Sequence, residues 1–220
     1  MGAAQATVYS VVLGAGQTKD GSSSLGASFA GTQLSFDTAS GGLTIDLKNA
    51  GAGTITAFSL TLNESTVTGG SFTSSDISGC TGGSRTCKWN PNDASAFNDA
   101  AHDGFRSAAV HNPFDLGVKS QGNKGLQSPG ESAEFVFTLT GDFSGVTSFF
   151  DIVDPFDEKA GNLQDVFWVG HVQELVNGDS VWIGGSTTDT QIPEPLTLAL
   201  FGSGLVGLGL ARRRRRLAKS

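Results

Sequence analysis

Short apolar runs with a two-residue period, cut every few positions by glycine-bearing turns, set the limits on what this chain can become. Leu43-Thr-Ile-Asp-Leu47 and Phe58-Ser-Leu-Thr-Leu62 alternate apolar with polar side chains. An extended strand points successive side chains to opposite faces, so each run offers one apolar and one polar face. Further strands are expected at Val8–Leu13, Gln33–Phe36, Thr54–Leu62, Glu134–Thr140, Val146–Val153, Val166–Leu175 and Val181–Ile183. Glu134-Phe-Val-Phe-Thr-Leu and Val166-Phe-Trp-Val are denser and are expected near sheet centres. Ser40-Gly-Gly, Asn49-Ala-Gly, Thr68-Gly-Gly, Thr140-Gly-Asp and Asn177-Gly-Asp supply the turns between them.

Composition points the same way. Charged residues make up only 16% of the chain and glycine 31 of 220 positions, which starves helices of their best formers. Fifteen Phe and three Trp still give the chain apolar mass to bury, which excludes a disordered polymer. The expected fold is therefore all-β, an antiparallel β-sandwich or jelly-roll-like body over residues 7–187. One stretch departs from it. Asn90 as a cap and Pro91 at a first helical position predict one short helix within Ala94–Val110, weakened by Gly104. Residues 111–130 read as a loop, and no repeat of fixed period is present.

Net charge is −7, but six of the 14 basic residues fall in the last nine positions. The body is therefore strongly acidic and lacks the Lys/Arg clusters of a nucleic-acid surface. Cys80 and Cys87 bracket Thr-Gly-Gly-Ser-Arg-Thr, which is neither C-x-x-C nor half of a zinc site. A local disulfide pinning this turn is the favoured reading, with two unpartnered thiols as the alternative. His102, His111 and His171 are far apart and follow no metal-protease spacing. Asp151, Asp154, Asp157 and Glu158 cluster after an expected strand, so calcium is the one candidate cofactor. A solvated acidic loop is the plainer alternative, because EF-hand spacing is absent. No nucleophile elbow or Cys/His dyad stands out, and the chain reads as non-enzymatic.

The C-terminus carries the sharpest signal. Pro193-Glu194-Pro195 is followed by sixteen uncharged residues, 196–211, and then by Arg212, Arg213, Arg214, Arg215 and Arg216. The apolar stretch is expected to form a transmembrane helix, with the arginines as a membrane stop and residues 212–220 as a basic cytoplasmic tail. At 1.5 Å per residue it reaches roughly 24 Å, short of a ~30 Å hydrocarbon core. Gly202, Gly204 and Gly207 spell GxGxxG, but no βαβ unit surrounds them, so a dinucleotide site is excluded.

Pro-Glu-Pro, an apolar glycine-rich span and a terminal arginine cluster, in that order, resemble the PEP-CTERM sorting signal of Gram-negative bacteria. The resemblance is confined mainly to residues 192–216. It implies recognition by an exosortase, a membrane-embedded transpeptidase-like enzyme that cuts near Pro193-Glu194-Pro195. It also implies export, transient anchoring in the inner membrane, and an exopolysaccharide-producing, biofilm-forming host. His171-Val-Gln, with Gly178-Asp-Ser-Val-Trp182-Ile-Gly, loosely resembles the last strands of other PEP-CTERM ectodomains and is read as packing and strand pairing. At the other end Ala4-Gln5-Ala6 matches a signal-peptidase box, so residues 1–6 read as a remnant of a cleavage region. Residues 188–195 form the linker. The expected function is an exported structural or adhesive component of the cell surface or extracellular matrix. A carbohydrate- or calcium-binding surface module is the alternative, and a secreted hydrolase the second alternative.

Overall fold

Twelve strands form wherever the alternation is strong, and in several places where it is not. The computed structural model describes residues 7–18, 27–51, 53–80, 89–90, 116–121, 124–155, 165–173, 180–186 and 190–191. The strands are β1 (Val8–Leu13), β2 (Gln17–Thr18), β3 (Gln33–Asp37), β4 (Gly42–Lys48), β5 (Thr54–Leu60), β6 (Val67–Asp76), β7 (Trp89–Asn90), β8 (Leu116–Ser120), β9 (Ser132–Gly141), β10 (Val166–Gln173), β11 (Val181–Ser186) and β12 (Thr190–Gln191). They build two six-stranded sheets, the first in the order β12-β1-β3-β4-β9-β6 and the second in the order β2-β11-β10-β5-β8-β7. Each pairing is antiparallel, as expected.

One apolar core lies between the sheets. The ring of Trp89 in the second sheet meets Phe135 in the first edge to face, 5.0 Å between centroids. At the heart of the second sheet Phe58 stacks on Trp168 at 5.6 Å, and Phe29 closes the group at 5.2 Å from Trp168. Two glycines make room for these rings. A Cβ at Gly170 would overlap the Phe29 ring, and one at Gly185 would overlap the Trp168 indole. Fully buried aromatic side chains each contribute about 1.5–3 kcal/mol, so this group anchors the second sheet.

Several expectations need correction. Val146–Val153 is not a strand: its centre, Phe149–Ile152, is a 3-10 helix. Its local cause is Asp151, whose Oδ2 accepts from the Thr147 and Ser148 amides and so tightens the backbone into a turn. The loop expected over 111–130 contains β8. The Thr68-Gly-Gly expected as a turn lies inside β6.

The fold class is corrected in its helical part. Among the described residues the helical pieces are 3-10 turns at 27–29 and Phe149–Ile152. None of these is long and apolar enough to cross a membrane, so the described residues give no support to the expected transmembrane helix or to inner-membrane anchoring; the segment 196–211 itself lies outside them. So does the helix expected within Ala94–Val110.

Candidate functional site

The outer face of the second sheet brings together side chains that the sequence keeps far apart. Antiparallel register aligns Trp182 of β11 with His171 of β10, His171 with Ala57 of β5, and Ala57 with Lys119 of β8. Residues opposite one another share a face, so these four form one row across four strands. The β5–β10 register shifts between His171 and Val172. That irregularity places Thr56 Oγ1 2.8 Å from His171 Nδ1 and 3.4 Å from the His171 carbonyl, which it reaches as a donor. The imidazole lies on the Trp182 indole, with centroids 4.5 Å apart and planes inclined by 31°.

Electrostatics fix the protonation state of this ring. Burial, helped by the nearby Lys119 ammonium, lowers the His171 pKa from 6.5 to about 4. His171 is therefore neutral at physiological pH and presents one ring nitrogen as donor and one as acceptor. The row holds a flat aromatic pair at one end and an exposed cation at the other, with the small buried Ala57 between them. Such a surface can stack on the apolar face of a planar or ring-shaped ligand and pair with a negative group on it.

The acidic cluster has a different use. Asp151 Oδ2 is occupied by the Thr147 amide at 2.7 Å, the Thr147 hydroxyl at 2.9 Å and the Ser148 amide at 2.9 Å. Those donors lower its pKa, the Thr147 amide most. Asp154 is exposed, and Asp157 and Glu158 lie outside the described residues. No group of three His, Cys, Asp or Glu that could hold a metal occurs among the described residues. Cys80 packs half-buried against the core, and no cysteine among the described residues is free. Cys87 lies outside them, so a Cys80–Cys87 bridge is not among the described features. His102 and His111 also lie outside.

At the C-terminal exit, β12 is zipped to the edge of the first sheet by the pairs Leu13↔Thr190 and Val12↔Gln191. Pro193 follows two residues later in the sequence, and proline lacks the N–H that a strand ladder uses. Comparison with protein families matches residues 191–216 to the PEP-CTERM protein-sorting motif. Residues 191–216 are a PEP-CTERM sorting motif. The match includes Pro193, Glu194, Pro195 and Arg212–Arg216, whose structure lies outside the described residues. No curated protein and no solved structure matches the chain. The chain is thus an exported, PEP-CTERM-tagged β-rich protein, and its sorting segment is of the kind that exosortases act on.

Trp182 and His171 were visible in sequence only as pairing positions, a role their register bears out. Lys119 and Thr56 gave no signal as site residues. Lys119 sat in an expected loop, and Thr56 looked like any polar position in an alternating strand. Only the pairing of β5 with both β8 and β10 joins them.

Proposed function

We propose that this protein is a non-catalytic structural or adhesive component of an exopolysaccharide-bearing matrix, delivered by exosortase processing at Pro193-Glu194-Pro195. The observation that carries the reading is the sorting motif, which begins on the last strand of a two-sheet body. A rigid Pro-Glu-Pro segment resists both helix and sheet and so remains extended for a processing enzyme. The test is the intact mass of the protein recovered outside its native host. Loss of the residues after the motif, together with a block by Glu194→Ala, supports the reading. Extracellular protein that still carries 196–220 overturns it.

The row Trp182–His171–Ala57–Lys119 favours a specific form of the adhesive role, binding of an acidic polysaccharide. The indole and neutral imidazole suit the apolar face of a sugar ring, and Lys119 suits its carboxylate. Co-sedimentation with the host's exopolysaccharide should fall for Trp182→Ala and Lys119→Ala. Retention equal to the parent protein in both variants removes this reading while leaving the sorting route intact.

A further inference from the structure

Among the described residues, three of the four sheet edges end in two-residue strands: β12 on the first sheet, and β2 and β7 on the second. Very short edge strands are a standard protection against edge-to-edge pairing. The fourth edge is different. β6 runs for ten residues, Val67–Asp76, and among the described residues it pairs on one side only, with β9. Thr68, Ser71, Thr73, Ser74, Ser75 and Asp76 are exposed. The strand holds no proline and no lysine, and its single charge is Asp76 at one end. It keeps one protective device, register irregularities between Val67 and Gly69 and between Phe72 and Ser74. Between them Gly69–Phe72 stays in regular register with Thr140, Leu139, Thr138 and Phe137.

We infer that β6 is a homotypic pairing edge, which joins antiparallel to β6 of a second copy of this chain about a two-fold axis at Ser71, so that the two Ser71 residues lie opposite each other. Antiparallel edges are self-complementary under such an axis. The sequence around the axis fits it. Residue 72 of each copy falls opposite residue 70 of the other, on the same face of the sheet, so each half-buried Phe72 ring covers a glycine that has no side chain to pack. The two Asp76 residues lie ten positions apart along the ribbon, about 33 Å at ~3.3 Å per residue, so they do not repel across it. A parallel pairing would set them side by side. β6 is also five strand spacings, about 24 Å, from the β12 exit of the sorting motif, so the two copies leave each other's tails clear. The pairing follows from the edge itself and does not depend on the matrix role.

Sedimentation velocity of the full chain tests the inference. A concentration-dependent dimer is expected, tightened by added salt because both copies are acidic. Ser71→Lys should raise the dimer dissociation constant about tenfold or more, since it sets two lysines side by side. The residue is exposed, so the melting temperature should match the parent. Independently, oxidised Ser71→Cys should give a covalent dimer whose linked peptides join position 71 to position 71. A protein that stays monomeric, a Ser71→Lys variant that dimerises like the parent, or a cross-link that fails to form overturns the proposal. Association through the apolar 196–211 segment would leave Ser71→Lys unaffected and so also counts against it.

Discussion

The central strands of the two sheets differ in their relation to water. In the first sheet, β3, β4 and β9 alternate between buried and more exposed positions, and their outer face carries Ser35, Thr44, Asp46, Glu134 and Thr138. Hydroxyl pairs such as Ser10 with Ser35 at 2.9 Å and Thr73 with Thr138 at 2.8 Å lie on that face, beside the Lys48–Asp46 ion pair at 3.4 Å. In the second sheet, β5 is buried along its whole length, although Thr-Ile-Thr-Ala-Phe-Ser-Leu reads as an alternating strand. Its outward positions are small residues, Ala57 and Ser59, beside Val169 and Gly184 on the neighbouring strands. Alternation therefore reports which side of a strand faces the core. Whether the other side meets water depends on side-chain size and on the rest of the fold.

The comparison can be broken most directly with lysine. Ser59→Lys should cost about 3–5 kcal/mol, because it puts an unpaired charge at a fully buried position. Thr44→Lys, at the matching place on the first sheet, should stay within about 0.5 kcal/mol. Urea denaturation of both variants measures the difference, and equal costs would show that the two outer faces are alike. Next in size is a methyl group. Gly170→Ala drives a Cβ into the Phe29 ring and should cost about 1–3 kcal/mol, whereas at Gly42 the nearest obstacle is the movable Ser40 hydroxyl at 3.0 Å. Melting temperatures for the two alanine variants should separate accordingly.

A smaller effect should reverse its sign between the sheets. Ser59 Oγ is buried without a hydrogen-bond partner, so Ser59→Ala should be neutral or stabilise by up to about 1 kcal/mol. Ser35→Ala breaks the bond to Ser10 and should cost about 0.5–1 kcal/mol. The last comparison is with pH. The folded state lowers the His171 pKa to about 4, below its ordinary 6.5, so the unfolded chain takes up the proton first. The stability present above pH 6.5 should decline as pH falls toward 4. The lowered carboxylates Asp37 and Asp151 act only below that window. His171→Phe keeps a ring against Trp182 and should flatten the decline, and an unchanged slope would assign it to other groups.

Much of this was legible in the sequence. Val8–Leu13 coincides with β1, and β3, β4, β9 and β11 extend the expected runs by one to three residues. In β1, β3, β4 and β9 the pattern is the strand's own, because one face is apolar and the other more exposed. β6 was read as a turn because Gly69 and Gly70 weaken any local preference for a strand, and β9 beside it supplies the register. β8 was missed for a related reason: five residues with Gly117 inside carry too little periodicity to stand out from a loop. The sorting motif was read in full, since its three parts are contiguous in the chain. The His171 row was not, because it is assembled from four strands and exists only through their pairing.

The pairing of β12 with β1 has a consequence for handling the protein. Val8, where the first strand starts, lies only four positions along β1 from Val12, the partner of Gln191. The two ends of the described chain therefore stand about 13 Å apart along one edge of the first sheet, at ~3.3 Å per residue. A reporter or affinity tag fused at the amino end would crowd the sorting motif. The same cargo inserted at an exposed turn beside the opposite edge, near Glu64 and Ser65, would leave the motif clear.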